Sequence, residues 1–183
     1  MRVTNCLAPL AVAVALTLPV GAQTREGVIG DLMRDISDVE TKVVGLAKAM
    51  PQAAYDWRPG KGVRSTAETF MHIAADNYFL PVLADMPAPA DTAITKDYKT
   101  AAAFEKRPMT REATIAELEK SFAFLKASMA ATPDAKLDAT IDMFGQKSTN
   151  RRLWITTTTH LHEHLGQLIA YARSNNVTPP WSK

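Results

Sequence analysis

"NRRLWITTTTHLHEHLGQLIAYARSN", residues 150–175, is predicted to form the last helix of the chain, and it holds three of the four histidines. On an α-helix, residues four apart lie about 40° apart around the axis and one turn along it, so His160 and His164 can reach one metal ion. His162 lies about 200° from His160 and is expected to face solvent or another helix. This helix therefore supplies two candidate ligands, and a third must come from elsewhere.

The remaining histidine, His72, is the candidate for that third ligand. It lies within the apolar pattern of a second predicted helix, where an imidazole without a partner would be unfavourable. Two bundle helices that face inward can bring His72 together with His160 and His164. Two plainer interpretations stay open: His72 as a hydrogen-bonded core histidine, and the other pair as part of a polar helix face.

Four long helical segments account for most of the chain. Apolar residues recur every three or four positions in residues 25–49, after Ser65, and in residues 110–130, as on one face of an amphipathic helix. Ser65 begins the second helix with the capping-box sequence STAE, and Pro81 is predicted to bend or end it. Without a set of strand-like segments, this pattern predicts an all-α fold, a four-helix bundle.

Three irregular connections are predicted between the helices. Residues 53–64 contain one proline and two glycines, and residues 84–100 form a Pro- and Ala-rich linker. Residues 137–149 alternate briefly between apolar and polar side chains, which favours an extended, hairpin-like loop. Because the last two connections are long, we expect a bundle with long crossover connections rather than one with tight turns.

The first 22 residues have the layout of a secretory signal peptide. Arg2 is followed by an apolar run and by small residues that end at Ala22. The run is shorter than the about 20 residues that a membrane-spanning helix needs. We therefore predict cleavage of residues 1–22, which leaves residues 23–183 as one domain, periplasmic or secreted and not membrane-bound. The mature chain would lack the only cysteine, Cys6, and with it any disulfide or cysteine nucleophile.

The mature chain is nearly neutral, which argues against nucleic acid as a partner. Removal of Arg2, one of 21 Lys and Arg residues, leaves 20 of them against 19 Asp and Glu, a net charge of +1. No run of basic residues is present, and no phosphate-binding loop or nucleophile elbow is visible. The expected partner is a small-molecule substrate.

Two segments carry a resemblance to a known family. They are YDWRPGKGVRSTAETFMHIAADN, residues 55–77, and HLHEHLGQLIAYARSNNVTPPW, residues 160–181. A histidine seven residues after the cap and the final-helix motif H-x-x-x-H-x-G-Q resemble the DinB-like (damage-inducible) superfamily, related to the bacillithiol and mycothiol S-transferases. The resemblance implies a four-helix bundle with a three-histidine divalent metal site at His72, His160 and His164. It also implies that such bundles often pair, so a homodimer is one expectation.

The chemistry of three histidines sets the expected cofactor and reaction. Three neutral imidazoles leave a tetrahedral ion with one open position; zinc is the first choice, and nickel, iron, cobalt or manganese also suits these ligands. Such an ion activates water or a thiol, which predicts a hydrolase or a thiol S-transferase. Gln167, Glu163 and Asp76 are close enough along their helices to contact a ligand ring or to line the pocket. An ordinary structural role is the alternative for each of them.

Three functions stay open at this stage. The first is a metal-dependent enzyme, and the second is a non-catalytic metal or small-ligand binding protein of the periplasm. The third is an interaction module in which the histidines are remnants. An open path to the fourth coordination position of the ion would favour the enzyme, and a sealed cavity would favour the binding protein.

Overall fold

The computed structural model describes residues 26–182. The predicted signal peptide, residues 1–22, lies outside the described residues. The helices are α1 (Gly27–Ala49), α2 (Gln52–Tyr55), α3 (Thr66–Leu83), α4 (Tyr98–Glu105), α5 (Arg111–Ala130) and α6 (Asn150–Ser174), and a hairpin of β1 (Thr140–Met143) and β2 (Gln146–Thr149) precedes α6. The four long helices α1, α3, α5 and α6 match the four predicted from the sequence.

The four long helices form a bundle in which two connections cross from side to side. α1 packs against α5 and α6, and α3 packs against the same two helices. The order around the bundle is therefore α1, α5, α3, α6. The crossing connections join α1 to α3 and α5 to α6, whereas the long segment between α3 and α5 joins neighbours. This arrangement confirms the predicted all-α bundle with crossover connections.

The central helix is α3, which is buried on all sides. Every residue of α3 except Ala67 and Glu68 is buried, because α4, α5, α6 and β1 all pack against it. Its first turn is fixed by the predicted capping box. Ser65 Oγ accepts from the Glu68 amide at 3.2 Å, and Glu68 Oε2 accepts from the Ser65 amide at 2.7 Å. Pro81 lies inside the helix, which continues to Leu83.

Two stretches predicted as irregular contain helix. The linker prediction for residues 84–100 is wrong at its end, where α4 begins at Tyr98 with the Asp97 side chain accepting from the Lys99 amide at 3.0 Å. Only two of its eight residues are buried, so the sequence shows too few apolar positions to reveal a helical period. The loop prediction for residues 53–64 is wrong where it overlaps the one-turn helix α2. The hairpin-like loop is confirmed as the β1–β2 hairpin.

Within residues 26–182, no helix combines the length and the apolar character that crossing a membrane requires.

Candidate metal centre

The three predicted ligands lie together between α3 and α6. His72 Nε2 lies 3.3 Å from His160 Nε2, and His160 Nε2 lies 3.0 Å from His164 Nε2. One ring nitrogen from each histidine can be chosen so that all three lie within 4.8 Å of one another. The spacing of His160 and His164 on α6 and the position of His72 on the facing helix therefore produce the convergence predicted from the sequence.

The separations between these nitrogens fit a metal ion. Zinc–nitrogen bonds of about 2.0–2.1 Å at tetrahedral angles place two ligand nitrogens about 3.3 Å apart. The observed 3.0 and 3.3 Å separations are close to this value. Three imidazoles so arranged could hold a divalent ion.

Hydrogen bonds to the opposite ring nitrogens leave the Nε2 atoms of two histidines free to coordinate. Glu105 Oε2 accepts from His72 Nδ1 at 3.1 Å, and Gln167 Oε1 accepts from His164 Nδ1 at 2.8 Å. A neutral ring that carries its proton on Nδ1 presents a lone pair at Nε2. The three Nε2 atoms therefore share at most one proton, that of His160, and a cation between them would relieve the repulsion of their lone pairs.

The partner of His164 is itself held by a directional chain of hydrogen bonds. The Gln167 side-chain amide donates to the Tyr171 hydroxyl at 2.7 Å, and that hydroxyl donates to the Arg64 carbonyl at 3.2 Å. This chain fixes which end of the Gln167 amide faces His164. The predicted contact of Gln167 with a ligand ring is thus present, and Tyr171 is a member of the network that the sequence did not indicate.

The partner of His72 is held by an arginine. The Arg64 guanidinium pairs with both carboxylate oxygens of Glu105, through Nε to Oε1 and at 3.2 Å to Oε2. Burial would raise the pKa of Glu105, but the hydrogen bonds from His72 and Arg64 outweigh it and lower the pKa to about 2. Glu105 is therefore ionised at neutral pH and holds the His72 ring as a charged acceptor.

Asp76 also reaches the centre, as the sequence suggested. Its Oδ2 lies 3.2 Å from His160 Nε2 and 3.4 Å from His72 Nε2. These are the separations expected between two ligands of one ion, so the carboxylate can either complete the coordination or bind a proton beside it. Burial raises the pKa of Asp76 to about 6, against the opposing electrostatic influence of the neighbouring His72 imidazole.

The pKa values of His160 and His164 are lowered, a direction that suits metal binding. Burial, followed by the neighbouring His164 and His72, lowers the pKa of His160 from 6.5 to about 3. Burial also lowers the pKa of His164, against the hydrogen bond to Gln167. Both rings are therefore neutral near pH 7, the form in which an imidazole coordinates a metal.

The remaining polar residues of the motif lie away from the centre. His162 is exposed, as the helix geometry predicts. Glu163 is exposed as well, and among the described residues it makes no hydrogen bond to any of the three imidazoles. Its charge acts on His164 only as a minor influence that raises the pKa. The contact with a ligand ring that was one possibility for Glu163 is therefore not formed, and the ordinary structural role is the one that fits this position.

A cavity of about 380 Å³ opens beside the three imidazoles. Its lining includes His72, His160 and Asp76, together with Leu80, Tyr98, Phe144 and Thr156. A volume of this size suits a small molecule. A larger groove, of about 660 Å³, is lined in part by Arg64 and Glu105 but by none of the three imidazoles. Of these two, the smaller cavity is therefore the one that gives a substrate access to the candidate centre.

Sequence reasoning missed the residues that α4 and the hairpin contribute. Tyr98 belongs to the part of α4 that overlaps the predicted linker, residues 84–100, Glu105 lies beyond that linker at the end of α4, and Phe144 lies at the hairpin turn. Nothing in their spacing links them to the histidines, because they come from separate elements that meet only in the folded chain.

Comparison with known proteins agrees with this architecture. A DinB-like protein from Bacillus subtilis is similar in structure, with a TM-score of 0.63 and 18% identity, over 84% of this chain and 97% of that protein. A DinB-like protein from Bacillus cereus has a TM-score of 0.61 and 19% identity, over 81% and 93%. No curated protein matches the sequence. The sequence profile of the DinB superfamily matches residues 36–168, a range that contains all three histidines of the centre. This chain belongs to the DinB superfamily.

Proposed function

We propose that this protein is a metal-dependent enzyme that acts on a small molecule. In this proposal His72, His160 and His164 hold a divalent ion, and zinc is the expected ion. The observation that carries the proposal is the convergence of three Nε2 atoms, 3.0 and 3.3 Å apart, beside a cavity of about 380 Å³. Nickel, iron, cobalt and manganese are the alternative ions, because imidazole suits each of them.

The reaction we propose is attack by an activated nucleophile. The bound ion would lower the pKa of water or of a thiol and so supply a nucleophile, whereas residues 23–183 contain no cysteine that could act as one. Asp76 then serves as the proton acceptor, because its Oδ2 lies 3.2 Å from His160 Nε2 and also borders the cavity. Glu105 and Gln167 hold two of the rings. Water as the nucleophile makes the protein a hydrolase, and a thiol makes it an S-transferase.

The test compares two histidines of the same helix. We would purify the protein without a histidine tag, determine its metal content, and load it separately with each of the five metals. Ester and amide hydrolysis and thiol conjugation would then be screened in wild type, His164→Ala and His162→Ala. We expect about one ion per chain and turnover in wild type and in His162→Ala, and the loss of both in His164→Ala. Turnover that survives His164→Ala, or no turnover with any metal, would contradict the proposal.

A second function is favoured by the position of Asp76. If its carboxylate completes the coordination, the ion has four protein ligands and no exchangeable position, as in a non-catalytic binding protein. The absorption spectrum of the cobalt-loaded protein separates the two functions. A spectrum that changes when azide or a thiol is added supports the enzyme. If azide or a thiol changes the spectrum of Asp76→Asn but not that of wild type, the binding protein is supported.

We also propose that the protein is exported. The arrangement of Arg2, an apolar run and small residues ending at Ala22 supports cleavage after residue 22 and a periplasmic or secreted location. The mass of the protein recovered from the periplasm or the medium tests this, because it should correspond to a chain that begins at Gln23. A homodimer also stays a prediction, and light scattering during size-exclusion chromatography would measure it.

A further inference from the structure

The turn of the β1–β2 hairpin places a large aromatic side chain where the backbone disfavours it. Met143 pairs with Gln146, so Phe144 and Gly145 form a two-residue turn, with φ values of 58° and 76°. Turns of this kind prefer Asn-Gly, and a bulky residue with positive φ is uncommon. Phe144 is nevertheless 58% exposed. The turn does not explain a phenylalanine here, and most of the side chain lies outside the core.

The same side chain borders the cavity of the candidate metal centre, with a second exposed aromatic beside it. Phe144 and Tyr98, which is 46% exposed, both line the cavity. The two rings contact the buried ring of Phe79, with centroids 6.1 and 5.5 Å away. Phe79 therefore packs against both aromatic side chains and helps to hold them at the cavity.

The lining also limits the charge of what can bind. Among the described residues that line the cavity there is no lysine or arginine, and Asp76 is its only carboxylate. An anionic group on the substrate would find no protein counter-ion there, whereas an uncharged ring would meet Leu80, Tyr98 and Phe144. The volume of about 380 Å³ is enough for one ring and a group that binds the metal.

We infer that Tyr98 and Phe144 form an aromatic recognition site for an uncharged, planar apolar group, attached directly to the group that approaches the metal. An aromatic acyl compound is the substrate class that fits. The inference rests on the proposed function, because it places the substrate between the ion and these two rings. Contact with the ligand also gives a reason for keeping phenylalanine in a turn that favours asparagine.

Binding of two matched probes to the zinc-loaded protein tests the inference without measuring turnover. Acetohydroxamate and benzohydroxamate share the metal-binding group and differ in the ring. Isothermal titration should show that benzohydroxamate binds wild type at least about tenfold more tightly. In Phe144→Asn and Tyr98→Ala we expect that preference to fall to about threefold or less, while affinity for acetohydroxamate stays within about twofold of wild type. Zinc content is measured for every variant.

Two controls separate recognition from damage to the fold. Trp181→Ala removes another exposed aromatic, outside the cavity, and should keep the preference. Phe144→Asn introduces the residue that the turn prefers, so its thermal midpoint should equal or exceed that of wild type. If wild type binds both probes equally, or if the preference for benzohydroxamate survives in both Phe144→Asn and Tyr98→Ala, the aromatic recognition site is overturned. The proposed metal-dependent function is not affected by either result. If zinc binds but neither probe does, the proposed enzyme fails together with the recognition site.

Discussion

Substitution of Glu105 by glutamine tests how the His72 ring is held. Glu105 Oε2 accepts from His72 Nδ1 at 3.1 Å, and Arg64 pairs with the same carboxylate. A glutamine oxygen can still accept from the ring, but the negative charge is lost. We expect zinc to bind more weakly, because a charged acceptor raises the basicity of the ligand nitrogen and fixes its orientation.

The size of the effect follows from the electrostatics of Glu105. Its pKa lies near 2, against 4.5 for an ordinary glutamate, which corresponds to about 3 kcal/mol in favour of the ionised form. His72 and Arg64 share that interaction, so about half of it, on the order of 1–2 kcal/mol, is available to the ring. This free energy corresponds to a loss of about tenfold in zinc affinity, the lower end of the 10–100-fold range typical of such partners.

Competition with a chromophoric chelator at neutral pH would measure the dissociation constant of zinc. Glu119→Gln is the matched control, since Glu119 pairs with Lys48 at 2.7 Å on an exposed surface. We expect the control to match wild type and Glu105→Ala to bind at least as weakly as Glu105→Gln. If Glu105→Gln binds zinc as tightly as Glu119→Gln, Glu105 does not act on the metal through His72.

Three further predictions concern the second hydrogen-bond chain and the stability of the fold. Tyr171→Phe removes the acceptor for the Gln167 amide, so zinc affinity should fall by a few-fold, and the same chelator competition would measure it. Ser65→Ala breaks the capping box of α3 and should lower the free energy of unfolding in urea by about 1 kcal/mol. Burial raises the pKa of Tyr55 from 10 to about 12, so the stabilisation by its neutral hydroxyl is complete below pH 10 and is lost as pH rises through 12. Urea titrations between pH 9 and 12 should therefore show that wild type loses about 2–3 kcal/mol more than Tyr55→Phe does.

Local periodicity was sufficient to predict the parts of the fold that repeat along the chain. The bounds of α1 and α5 follow from apolar spacing, and the start of α3 follows from the STAE capping box. The meeting of His72 with the α6 pair was predictable for the same reason, because inward-facing positions of bundle helices converge. Each of these inferences needs only residues within one helix and a rule for packing.

The parts that failed depend on contacts between distant segments. α4 has two buried anchors, Ala101 and Phe104, and its helical form depends on packing against α3. Glu105 reaches His72 only because α4 docks there, 33 residues further along the chain. Phe144 was not predictable from its turn at all, because turn preferences point to asparagine at that position. A residue that opposes its local preference can be explained only after its contacts are known.

The start of α3 couples the fold to both histidine partners. Arg64 immediately precedes the Ser65 cap, and its two ends serve different rings: the guanidinium holds the partner of His72, and the carbonyl anchors the chain that ends at His164. The capping box fixes the backbone at this point, so one residue sets the orientation of two imidazoles on two helices. Loosening the cap should therefore weaken metal binding as well as stability. Arg64→Ala removes the guanidinium but keeps the backbone carbonyl, so it should disturb the His72 line alone and weaken zinc binding by no more than the loss of Glu105, which chelator competition would measure.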